Sequence, residues 1–186
     1  PLGALDGVAL IRFFGHFYSG KIKFLVNDLL MHIKPLAPVF LPINKYGSQA
    51  KESSLQINNA YESDEQMLIF PAGLCSRLQH GKIKDLEWKK TFIAKAVQSQ
   101  RDIIPIYFEG RNSTFFYRFA QIRKCIGLKF NIELIYLPDE MFNSKNKTFD
   151  IYIGKPIPWQ TFDKSKSLQE WAQIVKEKVY QIKKNQ

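Results

Sequence analysis

Short apolar runs and longer amphipathic stretches alternate along the chain, and this alternation is its main structural signal. The apolar runs have the length of buried strands, whereas the amphipathic stretches repeat their apolar residues at helical spacing. The pattern therefore predicts an α/β domain with a mixed, mostly parallel sheet flanked by helices. The predicted strands are residues 23–26, 37–43, 67–70, 102–108, 130–137 and 149–153.

The predicted helices lie in the intervals between these strands. An apolar helix over 8–17 has Asp6 before it in a capping position, and a helix over 114–126 ends at Gly127, as a C-terminal cap should. Further helices are predicted around residues 31–33, over 48–65 and from residue 85 onward. The C-terminal helix has six apolar residues on one face: Leu168, Trp171, Ala172, Val175, Val179 and Ile182.

Size and charge narrow the possible classes of protein. With 186 residues, 45% of them hydrophobic, the chain can bury one sizeable core, so we expect a single domain over residues 1–186. The net charge of +10 favours a polyanionic partner, either nucleic acid or an anionic membrane surface. Two cysteines are too few for a disulfide framework and indicate reduced thiols in a cytoplasmic setting. No apolar run approaches the ~20 residues of a membrane-spanning helix.

The stretch from Met67 to Arg77 has the pattern of a buried strand that opens into a site loop. In open α/β sheets, ligands bind at the carboxyl ends of the strands. Gly73 would let the backbone approach a ligand, Ser76 offers a hydroxyl, and Arg77 offers a guanidinium for phosphate or carboxylate. Two further loops at strand ends contribute weaker rim candidates, namely Lys45, Arg111 and Asn112. The alternative is an ordinary turn with solvent-facing cations.

Phe70-Pro71-Ala72-Gly73 with Ser76 resembles the third sequence block of the glycerolipid acyltransferase superfamily, Phe-Pro-Glu-Gly-Thr-Arg-Ser. Ile104-Pro105-Ile106 is similar to its fourth block, and Leu41 to Lys45 lies where the second would fall. The form of the third block with alanine at position 72 is similar to that of the hemolysin-like branch of the superfamily, which includes lyso-ornithine lipid acyltransferases. The resemblance implies transfer of a fatty acyl group from acyl-CoA or acyl carrier protein to the hydroxyl of a lipid or lysolipid acceptor. It implies no bound cofactor and no metal.

The departures from the family pattern are informative. Ala72 replaces the glutamate and Cys75 stands where the arginine would be, which favours an acceptor other than glycerol 3-phosphate, with Arg77 taking over the anion contact. The first block is His-x-x-x-x-Asp, whose histidine is the general base. Asp6 is the candidate aspartate, and no histidine precedes it in this sequence.

The resemblance therefore implies an N-terminally truncated domain whose base lies immediately before Pro1, with five intervening residues instead of four. Asp6 would orient and support that histidine. Gly73, Ser76 and Arg77 would position the acceptor headgroup. Simple helix capping remains the alternative role for Asp6.

Three other readings compete with this one. Cys75 could be a nucleophile activated by His80, although a buried, inert cysteine is favoured. The aromatic and basic segment 115–124 could contact lipid, although a helix that packs its aromatics into the core is favoured. The charge also fits a nucleic-acid-binding module, but the basic residues are spread along the chain without a helix-turn-helix, zinc or RNA-recognition signature.

The expected partners are therefore a lipid or lysolipid acceptor, an anionic membrane surface and acyl carrier protein, with no nucleic acid. The expected location is cytoplasmic, peripheral on the inner face of the membrane.

Overall fold

The computed structural model describes residues 1–26, 34–43, 48–128 and 130–183. The predicted helix around residues 31–33 and the rim candidate Lys45 lie outside the described residues. The helices are α1 (Leu5–Phe17), α2 (Ser48–Glu62), α3 (Thr91–Ser99), α4 (Thr114–Cys125), α5 (Leu137–Phe142) and α6 (Leu168–Ile182). The strands are β1 (Ile22–Val26), β2 (Phe40–Pro42), β3 (Gln66–Leu68), β4 (Arg77–Gln79), β5 (Lys82–Lys84), β6 (Ile106–Phe108) and β7 (Ile151–Ile153). Short 3₁₀ helices cover Lys34–Val39, Ile132–Tyr136 and Trp159–Thr161.

Three of the strands form a parallel sheet in the order β2-β1-β3. The central strand β1 buries alternate residues, Ile22, Phe24 and Val26, because successive side chains of a strand point to opposite faces. Phe24 pairs with Phe40 on one side and with Leu68 on the other. Parallel strands with helical connections confirm the predicted α/β class.

Two small antiparallel sheets complete the strand inventory of the described residues. Strands β6 and β7 pair with Ile106 opposite Ile153, and β4 and β5 form a hairpin with Leu78 opposite Ile83. This hairpin covers residues 77–84, and the sequence pattern predicts a loop over 71–83, so the second half of that predicted loop is a pair of strands. Its tip consists of His80 and Gly81, both with positive φ (49° and 74°).

Helices pack on both faces of the strands. Along β6, Ile106 and Phe108 belong to the cluster under α1, whereas Tyr107 belongs to the cluster under α3 and α6. Helix α6 begins with the capping box Ser167–Glu170, in which each side chain accepts the other residue's backbone N–H. No helix in the described part of the chain is long and apolar enough to cross a bilayer.

Several predicted elements differ from the structure, among them the strand predicted over 102–108, of which only β6 is a strand. The strand predicted over 130–137 is wrong, because this segment forms the 3₁₀ helix and α5, held by a buried ion pair described below. The helix predicted from residue 85 begins only at Thr91, and the strand predicted over 37–43 is reduced to β2 by the preceding 3₁₀ turn. Helix α1 begins at Leu5, so Asp6 lies in its first turn and Ala4 is the cap residue.

Candidate active site

Asp6 lies in the first turn of α1 with no exposed surface, and its carboxylate holds the first residues of the chain. Its Oδ2 accepts the backbone N–H of Leu2 at 2.7 Å. Its Oδ1 accepts those of Gly3 at 2.9 Å and Gly7 at 3.0 Å. Three donors from a single turn fix both carboxylate oxygens, so Asp6 orients the segment formed by residues 1–3, hereafter the N-terminal segment.

Burial raises the pKa of Asp6 above its ordinary value, and the backbone N–H donors offset part of this shift. The N-terminal segment is also closely packed at Gly3. Gly3 has a φ of +103°, and a Cβ added there would lie 2.2 Å from Cys75 Sγ. Glycine is therefore required at this position, both for its backbone conformation and for the close approach of the sulfur.

Ser76 holds the N-terminal segment from the opposite side. Its backbone N–H donates to the carbonyl oxygen of Pro1 at 2.9 Å, and its hydroxyl donates to Asp85 Oδ1 at 2.6 Å. The nitrogen of Pro1 lies 3.0 Å from the same Asp85 oxygen, and Trp88 Nε1 donates to Asp85 Oδ2 at 3.0 Å. Burial raises the pKa of Asp85, and the hydrogen bonds from Ser76 and Trp88 lower it.

Asp85 is a site residue that the sequence reasoning missed. The sequence pattern places Asp85 at the start of a predicted helix, because acidic residues are common in the first turn of a helix. The signal that could have found it is the buried pair Asp85 and Trp88, whose indole N–H requires an acceptor.

Asn112 supplies the third contact to the N-terminal segment. Its side-chain amide donates to the carbonyl oxygen of Leu2 at 3.0 Å, and its backbone N–H donates to the hydroxyl of Tyr117 at 3.2 Å. Three predicted site residues, Asp6, Ser76 and Asn112, thus come from three separate segments and bind the same short stretch of main chain. Arg111, the neighbouring rim candidate, is exposed.

Arg77 points into the protein. Its guanidinium lies 2.6 Å from Glu133 Oε1 and donates to the carbonyl oxygen of Cys75 at 3.1 Å. Glu133 has no exposed surface, and its other oxygen lies 2.8 Å from Arg123 Nε. Arg77 also lies over the ring of Phe116, 5.8 Å from its centroid. The guanidinium therefore joins the site loop to the 3₁₀ helix at Ile132–Tyr136.

Gly73 lies on the open side of the same loop with a φ of +68°. A Cβ added there would lie 2.9 Å from Lys89 Nζ, so a cation that the sequence reasoning did not identify stands directly beside this glycine. The backbone N–H of Lys89 donates to the carbonyl oxygen of Pro71 at 3.1 Å. Ala72 is buried among apolar residues, so the position of the family's glutamate offers no charge to a ligand.

Cys75 is buried, and burial raises the pKa of its thiol, which disfavours the thiolate. His80 is exposed at the tip of the β4–β5 hairpin. These positions agree with an inert cysteine and do not favour a Cys75–His80 nucleophile. Among the described residues, no three His, Cys, Asp or Glu side chains form a cluster that could hold a metal ion.

A cavity of about 290 Å³ adjoins the N-terminal segment and runs between β3 and β6. Its lining includes every residue of 66–71 and of 101–108, together with Pro1, Asp6 and Asp85. In the described ladders β3 pairs with β1 and β6 pairs with β7, so the facing edges of β3 and β6 border the cavity.

An α/β fold with an oriented buried aspartate beside a strand-end loop is the arrangement that the acyltransferase resemblance implies. The comparisons with known proteins agree. The family model described as Acyltransferase matches residues 1–186. The chain therefore belongs to this acyltransferase family of enzymes, within the glycerolipid acyltransferase superfamily that its motifs resemble.

Two curated relatives are similar over 98% of this chain. Both carry the name lyso-glycine lipid O-acyltransferase; the protein from Bacteroides thetaiotaomicron is 57% identical and that from Phocaeicola vulgatus is 54% identical. The chain spans 67% and 65% of their lengths, respectively. The fold is also similar to the crystal structure of the 1-acyl-sn-glycerophosphate (LPA) acyltransferase PlsC from Thermotoga maritima. That match has a TM-score of 0.50 at 15% identity and covers 88% of this chain and 57% of the other.

Proposed function

We propose that this chain is the catalytic domain of a lipid O-acyltransferase. The enzyme would move a fatty acyl group from an acyl thioester to the hydroxyl of a lipid or lysolipid acceptor. The observation that carries the proposal is the convergence of Asp6, Ser76 and Asn112 on the N-terminal segment. Family membership and the relatives' names support the same reaction.

In the proposed reaction the acceptor hydroxyl oxygen attacks the thioester carbonyl carbon. A carbon–oxygen bond forms, the carbon–sulfur bond breaks, and a general base takes the hydroxyl proton and returns it to the departing thiolate. Asp6 is too deeply buried to meet a substrate, so its proposed role is to position and support the base. We place that base, a histidine, on the residue joined to the nitrogen of Pro1.

The surroundings of Pro1 support this placement. The carbonyl oxygen of Pro1 accepts the backbone N–H of Ser76, and the next residue, Leu2, is held by Asp6 and Asn112. A side chain attached at this point would begin beside Asp6, Ser76 and Asp85. Two carboxylates and a hydroxyl would then restrict its orientation, as the support of a catalytic imidazole requires.

The cavity between β3 and β6 is assigned to polypeptide and not to the acyl chain. Strand edges present backbone N–H and C=O groups. A hydrocarbon chain would leave those groups unpaired, at a cost of roughly several kcal/mol each. An extended segment would satisfy them. We therefore propose that this cavity binds an extended polypeptide segment.

The proposed acceptor is a lyso-glycine lipid, the lipid that both relatives' names state. A glycine headgroup with a free carboxylate would need a cation in the site. Lys89 and Arg111 are exposed near the site, whereas the guanidinium of Arg77 is paired with Glu133. We propose Lys89 beside Gly73, together with Arg111, as the headgroup contacts. The roles predicted for Arg77 and Lys45 stay predictions.

The test uses the protein with the residues that precede Pro1. Lyso-glycine lipid is incubated with acyl-CoA or with acyl carrier protein loaded with the same acyl group, and the diacylated product is followed by mass spectrometry. We expect transfer from at least one donor and its loss when the histidine before Pro1 is replaced by alanine. Absence of transfer from both donors, or full activity without the histidine, would contradict the proposal.

A further inference from the structure

One segment of the chain exposes an unusual concentration of apolar side chains. Eight of the fourteen large apolar residues that are exposed among the described residues lie within 115–142. Phe130 is 81% exposed, Ile135 75% and Phe142 71%. The eight residues, which define the α4–α5 face, are Phe115, Ile122, Ile126, Leu128, Phe130, Ile135, Tyr136 and Phe142. A patch of this kind on a soluble domain indicates an interaction surface.

The patch is an ordered surface and not a set of scattered residues. Phe115 stacks on Phe119 with ring centroids 5.8 Å apart, and both rings meet Tyr136 edge-on at 5.2 and 5.5 Å. Phe115, Phe119, Ile122 and Ile126 follow helical spacing along one side of α4, while Phe116, Tyr117 and Ala120 are buried on another side. The same helix therefore has a core face and a separate apolar face.

The charges of this region complement an anionic surface. Residues 111–147 contain seven Lys or Arg residues and three Asp or Glu residues. Two of the three acids are used internally, because Glu133 pairs with Arg77 and Arg123, and Glu140 accepts from the backbone and hydroxyl of Ser113. The exposed charges are mainly cations, among them Arg118, Lys124, Lys145 and Lys147. Exposed aromatics ringed by cations are typical of proteins that lie on anionic bilayers.

The α4–α5 face is joined firmly to the candidate site. Phe116 and Tyr117, on the buried side of α4, pack against Cys75 in the site loop. Asn112, just before α4, bonds the N-terminal segment. Helix α4 therefore contacts the candidate site with its buried side and solvent with the other.

We propose that the α4–α5 face is the surface by which this protein binds an anionic lipid bilayer. The inference deepens the proposed lipid acyltransferase function and rests on it for the identity of the substrate. Apolar side chains of this face enter the headgroup region, and the surrounding cations contact anionic lipids. This contact holds the peripheral enzyme at the membrane where its acceptor resides.

The experiment measures flotation of the full-length protein with vesicles of phosphatidylcholine alone and with about a third phosphatidylglycerol, across a salt series. The test variant combines Phe115→Ser, Ile135→Ser and Phe142→Ser; the control combines Phe17→Ser and Leu55→Ser, which are 65% and 61% exposed elsewhere. We expect the test variant to lose affinity for the anionic vesicles by roughly tenfold or more. The control should bind like the wild type.

Two additional readouts separate the possible outcomes. Acyl transfer to an acceptor dispersed in detergent should be the same in the test variant as in the wild type. If the wild type itself transfers no acyl group in detergent, the proposed function fails, but the proposal about membrane binding does not. Sedimentation without lipid should show the same oligomeric state in all variants. Equal vesicle binding by test and control variants would overturn the proposal. So would a lipid-free dimer that only the test variant dissociates, because the face would then bind a second copy of the chain.

Discussion

The N-terminal segment and the α4–α5 face differ in which groups they bury and which they expose. Around the N-terminal segment, the buried carboxylates of Asp6 and Asp85 have hydrogen-bond partners on both oxygens. On the α4–α5 face, aromatic side chains such as Phe142 stand in solvent. Fixed polar contacts suit a group that must hold its orientation during a reaction, whereas exposed apolar area suits a surface that meets lipid. In the proposed function, this difference would separate the chemistry at the N-terminal segment from membrane contact at the α4–α5 face.

The largest effect should come from Asp6→Asn. The amide retains the shape of the carboxylate but turns an N–H group toward a backbone donor and loses the negative charge that supports the base. We expect acyl transfer to fall about 1,000-fold. Steady-state rates with lyso-glycine lipid measure this, and Asp64→Asn, a change to an exposed carboxylate, is the control. A rate within threefold of the wild type, an allowance of about 0.6 kcal/mol, would remove Asp6 from the mechanism.

The next effect tests how the two regions are joined. Glu133→Gln leaves the partly buried guanidiniums of Arg77 and Arg123 without their counter-charge. The free energy of unfolding should fall by about 3 kcal/mol, because breaking a buried pair from one side strands its partners. Urea unfolding measures this loss. Asp64→Asn, which breaks the exposed pair with Lys21, should leave the urea midpoint unchanged. Equal midpoints for the two variants would show that the buried pair does not join the site loop to the 3₁₀ helix.

A smaller effect is expected at Asp85. Asp85→Asn keeps one acceptor oxygen, which the indole N–H of Trp88 needs, so its amide N–H would have to donate to the Ser76 hydroxyl. The charge-assisted bond from Ser76 is then replaced by a weaker neutral one. We expect a loss of about 1–3 kcal/mol in unfolding free energy. A double-mutant cycle with Ser76→Ala should give a coupling energy near 1 kcal/mol. Strictly additive effects would mean that the Ser76–Asp85 contact does not stabilise the site.

Substitution of the proposed headgroup contacts should have a smaller effect on the reaction. Lys89→Gln and Arg111→Gln should each raise KM for lyso-glycine lipid about fivefold, equivalent to roughly 1 kcal/mol, with kcat little changed. Lys164→Gln removes an exposed cation elsewhere and should have no effect. If Arg77→Gln raises KM while the other two variants do not, the original prediction of Arg77 as the anion contact would be right.

The smallest effect concerns pH. Burial raises the pKa of Asp6 above 3.8, so the folded protein keeps this proton at pH values where the unfolded chain has lost it. The free energy of unfolding should therefore decrease as pH rises from 3.8 through the folded pKa of Asp6. Urea unfolding across this range should show the slope in the wild type and a shallower one in Asp6→Asn. Identical slopes would mean that the pKa of Asp6 is not raised.

Local patterns predicted the part of the fold that depends on local forces. Helix α6 follows from its apolar periodicity and its capping box, and β1 and β3 follow from short apolar runs. Residues 130–137 were mispredicted because an apolar run fits a buried strand as well as a helical segment. In the structure Glu133 of this segment pairs with Arg77, 56 positions away, and a contact at that separation leaves no trace in the local sequence.

In the candidate site, too, local sequence predicts some residues, whereas others depend on contacts made only in the fold. Motif position predicts Asp6 and Ser76, and a loop at a strand end predicts Asn112 as a rim residue; the structure places all three against the N-terminal segment. Asp85 and Lys89 were missed because their partners, Ser76 and Gly73, are brought near them only by the folding of the loop and the β4–β5 hairpin. Their charges alone resemble those of any solvated turn.

The most direct test of the central claim measures acyl transfer in two formats, with lyso-glycine lipid dispersed in detergent and embedded in anionic vesicles. The account predicts that Asp6→Asn loses transfer in both formats. The triple variant Phe115→Ser, Ile135→Ser, Phe142→Ser should lose transfer only on vesicles. Parallel losses by both proteins in both formats would contradict the separation of chemistry from membrane contact, and wild-type transfer by Asp6→Asn would contradict the site itself.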